Sequence, residues 1–142
     1  MRDAAVRDAD DRARPPARVL VVDDDEEMRS LLRRSLEFDG HHVTERDRGT
    51  DVLETLREAT FDLIILDNKM PGLNGLDLLP ILRREFPQVP VVLVTAFGGR
   101  QVASSALRLG AASYLEKPFR LGQLRDTIAG LIPGRSDESR AS

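Results

Sequence analysis

Phe61-Asp62-Leu63-Ile64-Ile65-Leu66-Asp67-Asn68-Lys69-Met70-Pro71-Gly72 is the stretch on which the reading of the fold turns. Branched apolar residues run from Leu63 to Leu66 and stop at a carboxylate, and a proline–glycine pair follows at once. So short a run leaves no room for the polar face of an amphipathic helix. It reads as a strand buried on both faces, which requires a parallel sheet covered by helices. Asp67 then stands at the carboxyl end of that strand, the edge where open α/β sheets hold ligands and chemistry.

The neighbouring segments repeat the pattern. Arg18-Val19-Leu20-Val21-Val22 reads as a buried strand ending in Asp23-Asp24-Asp25, and Val91-Val92-Leu93-Val94 as another ending in Thr95-Ala96. Ser113 to Glu116 makes a last strand before Lys117-Pro118-Phe119, and Val43 to Arg46 a short, edge-like one. Between them the apolar period changes to that of a helix. Met28, Leu31, Leu32 and Leu36 share one face of a helix closed by Gly40; Val52, Leu53 and Leu56 make a small one. Leu76, Leu79, Leu82 and Phe86 form a stripe ended by Pro87 and Pro90, and Val102, Ala106 and Leu109 one stopped by Gly110. Leu121, Leu124, Ile128 and Leu131 complete the series. Strand–helix repeated five times with short connections predicts an α/β doubly wound parallel sheet with helices on both faces.

Composition narrows the class. The chain of 142 residues is 41% apolar and 32% charged with a net charge of −3, one domain of ordinary globular character. That balance offers no electrostatic footprint for nucleic acid or an anionic membrane. The absence of cysteine removes disulfides, thiolate metal sites and cysteine nucleophiles. No apolar run approaches the ~18 residues of a membrane span, so the expected location is cytoplasmic. Of 21 basic residues only Lys69 and Lys117 are lysine, and a position kept as lysine against such an arginine bias can require a compact ammonium. Residues 1–17 read as a disordered or partly helical arm, 18–132 as the domain, and 133–142 as a polar, flexible tail. His41 and His42 have no partners at ligand spacing and read as loop.

The chemistry lies at the strand ends. With the first and third strands as neighbours about 4.8 Å apart, Asp23, Asp24 and Asp67 converge on one small volume. Converging carboxylates raise one another's pKa unless a cation sits among them. A cluster of oxygen ligands without His or Cys suits Mg2+, which keeps open positions for water and phosphate. Capping of the following helix explains one of the Asp23–Asp25 carboxylates but not three.

Together, Val21-Val22-Asp23-Asp24-Asp25, Asp67-Asn68-Lys69-Met70-Pro71-Gly72, Thr95-Ala96 and Lys117-Pro118-Phe119 resemble the receiver (phosphoacceptor) domain of bacterial two-component response regulators. The resemblance covers about residues 18 to 132. It implies a flavodoxin-like five-stranded sheet of order 2-1-3-4-5, and an Asp67 that accepts a phosphoryl group from a phosphohistidine. It further implies Mg2+ held by Asp24 and Asp67 directly, by Asp23 mainly through water, and by the backbone carbonyl of Lys69. Thr95 and Lys117 would contact phosphoryl oxygens, Pro118 occupies the family's cis-proline position, and Thr95 with Tyr114 would form the switch. Lys69 and Phe97, two residues after Asp67 and Thr95, lie where the family tunes hydrolysis; both would hinder attacking water and prolong the phosphorylated state. Asn74 stands where many relatives have aspartate.

The partners implied are a sensor histidine kinase or histidine phosphotransfer protein and a downstream protein, with neither DNA nor membrane contacted directly. Met28, Arg29, Leu32 and Arg33 on the first helix are candidates for the kinase-facing surface. The tail is too short for an output domain, so a stand-alone receiver is expected, and phosphorylation-dependent homodimerisation is left open. Such a domain is a phosphoacceptor that catalyses its own modification, not a turnover enzyme. Two other readings compete. A haloacid dehalogenase-type phosphatase needs a second aspartate where Lys69 stands. A degenerate receiver serving as a docking or dimerisation module would have no need of Asp23, Asp24, Asp67, Thr95 and Lys117 together.

Overall fold

The computed structural model describes residues 16–96 and 99–132. Five parallel strands, β1 (Arg18–Val22), β2 (His42–Arg46), β3 (Leu63–Asp67), β4 (Val91–Thr95) and β5 (Ser113–Glu116), form one sheet in the order β2-β1-β3-β4-β5. Five helices, α1 (Glu26–Phe38), α2 (Val52–Glu58), α3 (Gly75–Glu85), α4 (Gly99–Arg108) and α5 (Leu121–Leu131), alternate with them. This is the doubly wound, flavodoxin-like architecture expected, order included. The expected arm and tail, and Phe97, lie in whole or in large part outside the described residues. Ala17, the last residue of the expected arm, is buried, and its carbonyl accepts from the amide of His42 at 2.8 Å.

Alternate side chains of a strand point to opposite faces, and the two cores divide accordingly. Leu20, Val22, Ile64, Leu66 and Leu93 pack beneath α2, α3 and α4 through Val52, Leu56, Leu78, Leu79, Leu82 and Ala106. Val19, Val21, Leu63, Ile65, Val92 and Val94 pack on the other face against Leu32 and Leu36 of α1 and Leu124 and Ile128 of α5. The continuous apolar runs of β1, β3 and β4 are what a sheet covered on both faces demands. His42 opens β2 opposite Arg18 instead of lying in a loop. Edge pairing with β1 recruited a residue whose side chain gives no strand signal.

Register sets the functional edge. Val22 pairs with Leu66, so the next residues, Asp23 and Asp67, leave their strands side by side. Asp67 pairs with Val94, which puts Thr95 one residue beyond, and Thr95 pairs with Glu116, which puts Lys117 one beyond again. Helix ends help to hold these loops in place. Asp25 caps α1 by accepting from the amide of Glu27 at 3.0 Å, so one of the three successive aspartates is used in capping. Gly40 closes α1 with φ +93°, as its glycine predicts.

Gly75, at the start of α3, allows that helix to approach the end of β3 closely. A Cβ there would lie 2.8 Å from the carbonyl oxygen of Asp67 and 2.8 Å from Leu93 Cδ1. Gly75→Ala should therefore destabilise the protein by roughly 1–3 kcal/mol, because helix and strand must separate to admit the methyl group. A lower midpoint in urea unfolding at constant m-value is the expected result.

Candidate phosphoacceptor and metal site

Three carboxylates and one ammonium meet at the carboxyl edge of the sheet, where β4 also ends in Thr95. Asp23 and Asp67 are buried, while Asp24 is exposed at the rim. Their carboxylate oxygens lie within 4.8 Å of one another, and among the described residues this is the one such group of three. Lys117 reaches across from the end of β5, its Nζ 3.0 Å from Asp23 Oδ2 and 3.4 Å from Asp67 Oδ1. The peptide between Lys117 and Pro118 is cis, as the resemblance implies. Thr95 is fully buried, and its carbonyl accepts from the Lys117 amide at 2.8 Å, which couples the ends of β4 and β5.

Backbone contacts hold the acidic loop. The amide of Asp25 donates to Asp23 Oδ1 at 2.9 Å and orients that carboxylate. Arg29 of α1 donates to the Asp23 carbonyl at 2.7 Å, and its Nε pairs with Glu45 of β2 at 3.2 Å. Beyond Asp67, the amide of Asn68 donates to the Val94 carbonyl at 2.9 Å. Asn68 thus locks the end of β3 onto β4, a role that sequence reading did not assign to it. The bond is made by the backbone, so the side chain at this position carries no signal for it.

Electrostatics follow from the geometry. Burial is the main reason the Asp67 carboxyl is raised from 3.8 to about 6; the charge of Asp23 adds to it, and Lys117 opposes it. For Lys117, burial works against the charged form, but hydrogen bonds and charge from Asp23, and then Asp67, outweigh it and the pKa rises. The ammonium therefore stays charged throughout the physiological range. Two anions and one cation in a half-sealed volume leave negative charge uncompensated, the condition a hard cation relieves.

The donor set fits Mg2+. It consists of oxygen atoms, and oxygens opposite each other on one Mg2+ are about 4.2 Å apart, from bond lengths near 2.1 Å. A group whose members lie within 4.8 Å of one another matches an ion held directly by some carboxylates and through water by another.

Other expected residues are placed as follows. Lys69 is exposed in the turn after Asp67. Tyr114 of β5 is half-buried, and its hydroxyl donates to the Gly99 carbonyl at the start of α4 at 3.4 Å. Burial first, then the charge and hydrogen bond of Glu116, raise its pKa. Of the candidate kinase-facing set on α1, Arg33 is exposed and pairs with Glu45 at 2.9 Å, whereas the other three are less available. Leu32 is buried in the core, Met28 packs against it, and Arg29 is committed to Glu45 and Asp23. A helical period places Leu31, Arg34 and Phe38 outward instead. With Ser35, Leu121 and Arg125 they line a groove of about 310 Å³ between α1 and α5. Phe38 is 82% exposed, under the guanidinium of Arg125, which forms a two-pronged ion pair with Asp39 at 2.9 and 2.6 Å.

The displaced proton on Asp67 has a consequence for stability without metal. The unfolded chain releases it near pH 4, whereas the folded protein retains it to about 6. The folded state is thus favoured by this group at low pH, and stability declines as pH rises from 4 to 6, by about 3 kcal/mol. In EDTA, Asp67→Asn should abolish that decline, giving a variant more stable than the parent at pH 7.5 but not at pH 4, as read from urea unfolding.

The sequence model of the response regulator receiver domain matches residues 19–129. The chain is similar to the response regulator protein FleR of Pseudomonas aeruginosa, 39% identical over 126 residues, which is 86% of this chain and 27% of FleR. It is also similar to the DNA-binding transcriptional regulator NtrC of Escherichia coli, 40% identical over 105 residues, 74% of this chain and 22% of NtrC. The chain therefore spans about a quarter of the length of these two relatives. A CheY-like receiver domain protein from Methanospirillum hungatei shares the fold at a TM-score of 0.80 and 26% identity, covering 87% of this chain and 99% of that one. The order of the sheet, the acidic group at its carboxyl edge and a match over most of the chain lead to one conclusion: this chain belongs to the response regulator receiver domain family of two-component systems.

Proposed function

We propose that Asp67 accepts a phosphoryl group, with Mg2+ present, from the phosphohistidine of a sensor histidine kinase or histidine phosphotransfer protein. The observation that carries this reading is the placement of buried Asp67 among Asp23, Asp24 and Lys117. Attack by an Asp67 carboxylate oxygen on phosphorus breaks the phosphorus–nitrogen bond, and the imidazole leaves with the electron pair. Poor solvation of Asp67 favours its attack, and a pKa of about 6 leaves it ionised at neutral pH. Bound Mg2+ would offset the charge of the phosphoryl oxygens and of the acidic cluster. Asp24 and Asp67 would hold it directly, Asp23 through water, and the Lys69 carbonyl would complete the protein's share.

Lys117 already stands 3.4 Å from an Asp67 oxygen, where it would pair with a phosphoryl oxygen, and Thr95 would donate its hydroxyl to another. Phosphorylation adds up to two negative charges at this edge. We read the response as a shift between two conformations of the face made by α4, β5 and α5. The bond from Tyr114 to Gly99 supports a link between β5 and the start of α4. Lys69 and Phe97 would slow hydrolysis. The domain would thus be a self-modifying phosphoacceptor instead of a turnover enzyme, working in the cytoplasm. Its output would pass to a downstream protein, with homodimerisation one form of it. A net charge of −3 supports protein rather than DNA as the direct contact of the receiver.

Incubation with acetyl phosphate and Mg2+ should add one phosphoryl group, about 80 Da by intact mass, and the adduct should be lost in Asp67→Ala or EDTA. Lys69→Ala should shorten its lifetime. No adduct, together with no Mg2+ binding, would favour the docking-module reading. The groove between α1 and α5 supports kinase docking there. Phe38→Ala should slow transfer from a cognate kinase about tenfold, as for an exposed aromatic anchor, while modification by acetyl phosphate stays unchanged.

A further inference from the structure

Asn74 occupies the N-cap position of α3 in an extended conformation, with φ −73° and ψ 155°, yet its side chain makes no capping bond. The amide of Leu76, which such a cap would satisfy, donates instead to Asn68 Oδ1 at 3.0 Å, from eight residues upstream. The amide of Gly75 donates to the Asn68 carbonyl at 2.9 Å, and the amide of Asn68 donates to Val94 at 2.9 Å. One residue, next in the chain to Asp67, thus joins the end of β3 to β4 and to α3.

Pro80 increases the weight on this joint. Proline has no N–H, so residue 80 cannot close the helical bond to the carbonyl of Leu76. The first turn of α3 is correspondingly less secured by its own ladder and more by Asn68. Because Gly75 lacks a side chain, that turn rests directly on the Asp67 carbonyl.

We propose that Asn68 is a positioning residue for the acceptor: by capping α3 from outside the helix, it holds the Asp67–Lys69 backbone in the arrangement that Mg2+ requires. This rests on the reading of Asp23, Asp24 and Asp67 as the metal centre. Without the side-chain bond, the Leu76 amide loses its partner, and the peptide carrying Asp67 loses one of its anchors. Outer partners of metal ligands cost 10–100-fold in affinity when removed; since two backbone anchors of Asn68 remain, the lower end, about tenfold, applies here.

The test is calorimetric titration of Mg2+ into the unphosphorylated protein, together with urea unfolding in EDTA. Asn68→Leu should raise the Mg2+ dissociation constant about tenfold. Adding Asn74→Ser, which supplies a neutral local cap, should recover the unfolding midpoint without recovering affinity. Unchanged affinity in Asn68→Leu would overturn the proposal. So would recovery of both quantities in the double variant, which would reduce Asn68 to a helix cap. Should Asn68→Leu fail to fold, Leu76→Pro removes the donor at a first-turn position that tolerates proline, and must show the same tenfold loss. A parent protein that binds no Mg2+ would overturn the metal reading and this inference with it, whereas normal parent binding with unaltered variants would sink the inference alone.

Discussion

The pairing of β1 with β3 is the constraint on which the site depends. Two buried strands, each ending in aspartate, are locked so that Val22 faces Leu66. Sliding one by a single residue would turn its apolar side chains to the wrong layer, so the packing of both cores enforces the register. The same register brings Asp23 and Asp67 together at the sheet edge. The hydrophobic cores thereby hold two like charges close together, an arrangement that would be unfavourable alone. Lys117 offsets part of that repulsion, at 3.0 and 3.4 Å from the two carboxylates.

Partial compensation is what makes such an edge chemically useful. Complete neutralisation would leave no reason to bind a cation, and no compensation would keep Asp67 protonated. With one ammonium against two buried carboxylates, Asp67 titrates at about 6 and is ionised at neutral pH, with room for a divalent ion. Charge arriving at Asp67 is then felt by the ends of β4 and β5, which are coupled through the Thr95 carbonyl and the Lys117 amide. The adjoining strand carries Tyr114 and its contact with α4.

Much of this was legible in the chain. The runs Val19–Val22, Leu63–Leu66 and Val91–Val94 have no polar side, which forces burial on both faces and hence a parallel sheet with helical crossovers. The polar residue after each run marks the working edge. Less legible was β2, where His42, Thr44 and Glu45 carry no apolar alternation and the strand forms because β1 offers an edge. On α1, Leu32 looked available to a partner, but the helix rotates it into the core and turns Leu31 and Phe38 outward. A one-residue error in helical phase is 100°, enough to exchange surface for interior.

By itself the sequence determined which residues are buried in strands, where those strands stop, and which charged groups follow them, because apolar periodicity and turn residues are local properties. The tertiary structure alone decided which of the three successive aspartates caps α1, namely Asp25, and that Asn68 rather than Asn74 caps α3. Those outcomes are settled by distances between segments far apart in the chain. Each is a competition between equivalent oxygens for a backbone amide or a cation, and only packing determines which oxygen arrives.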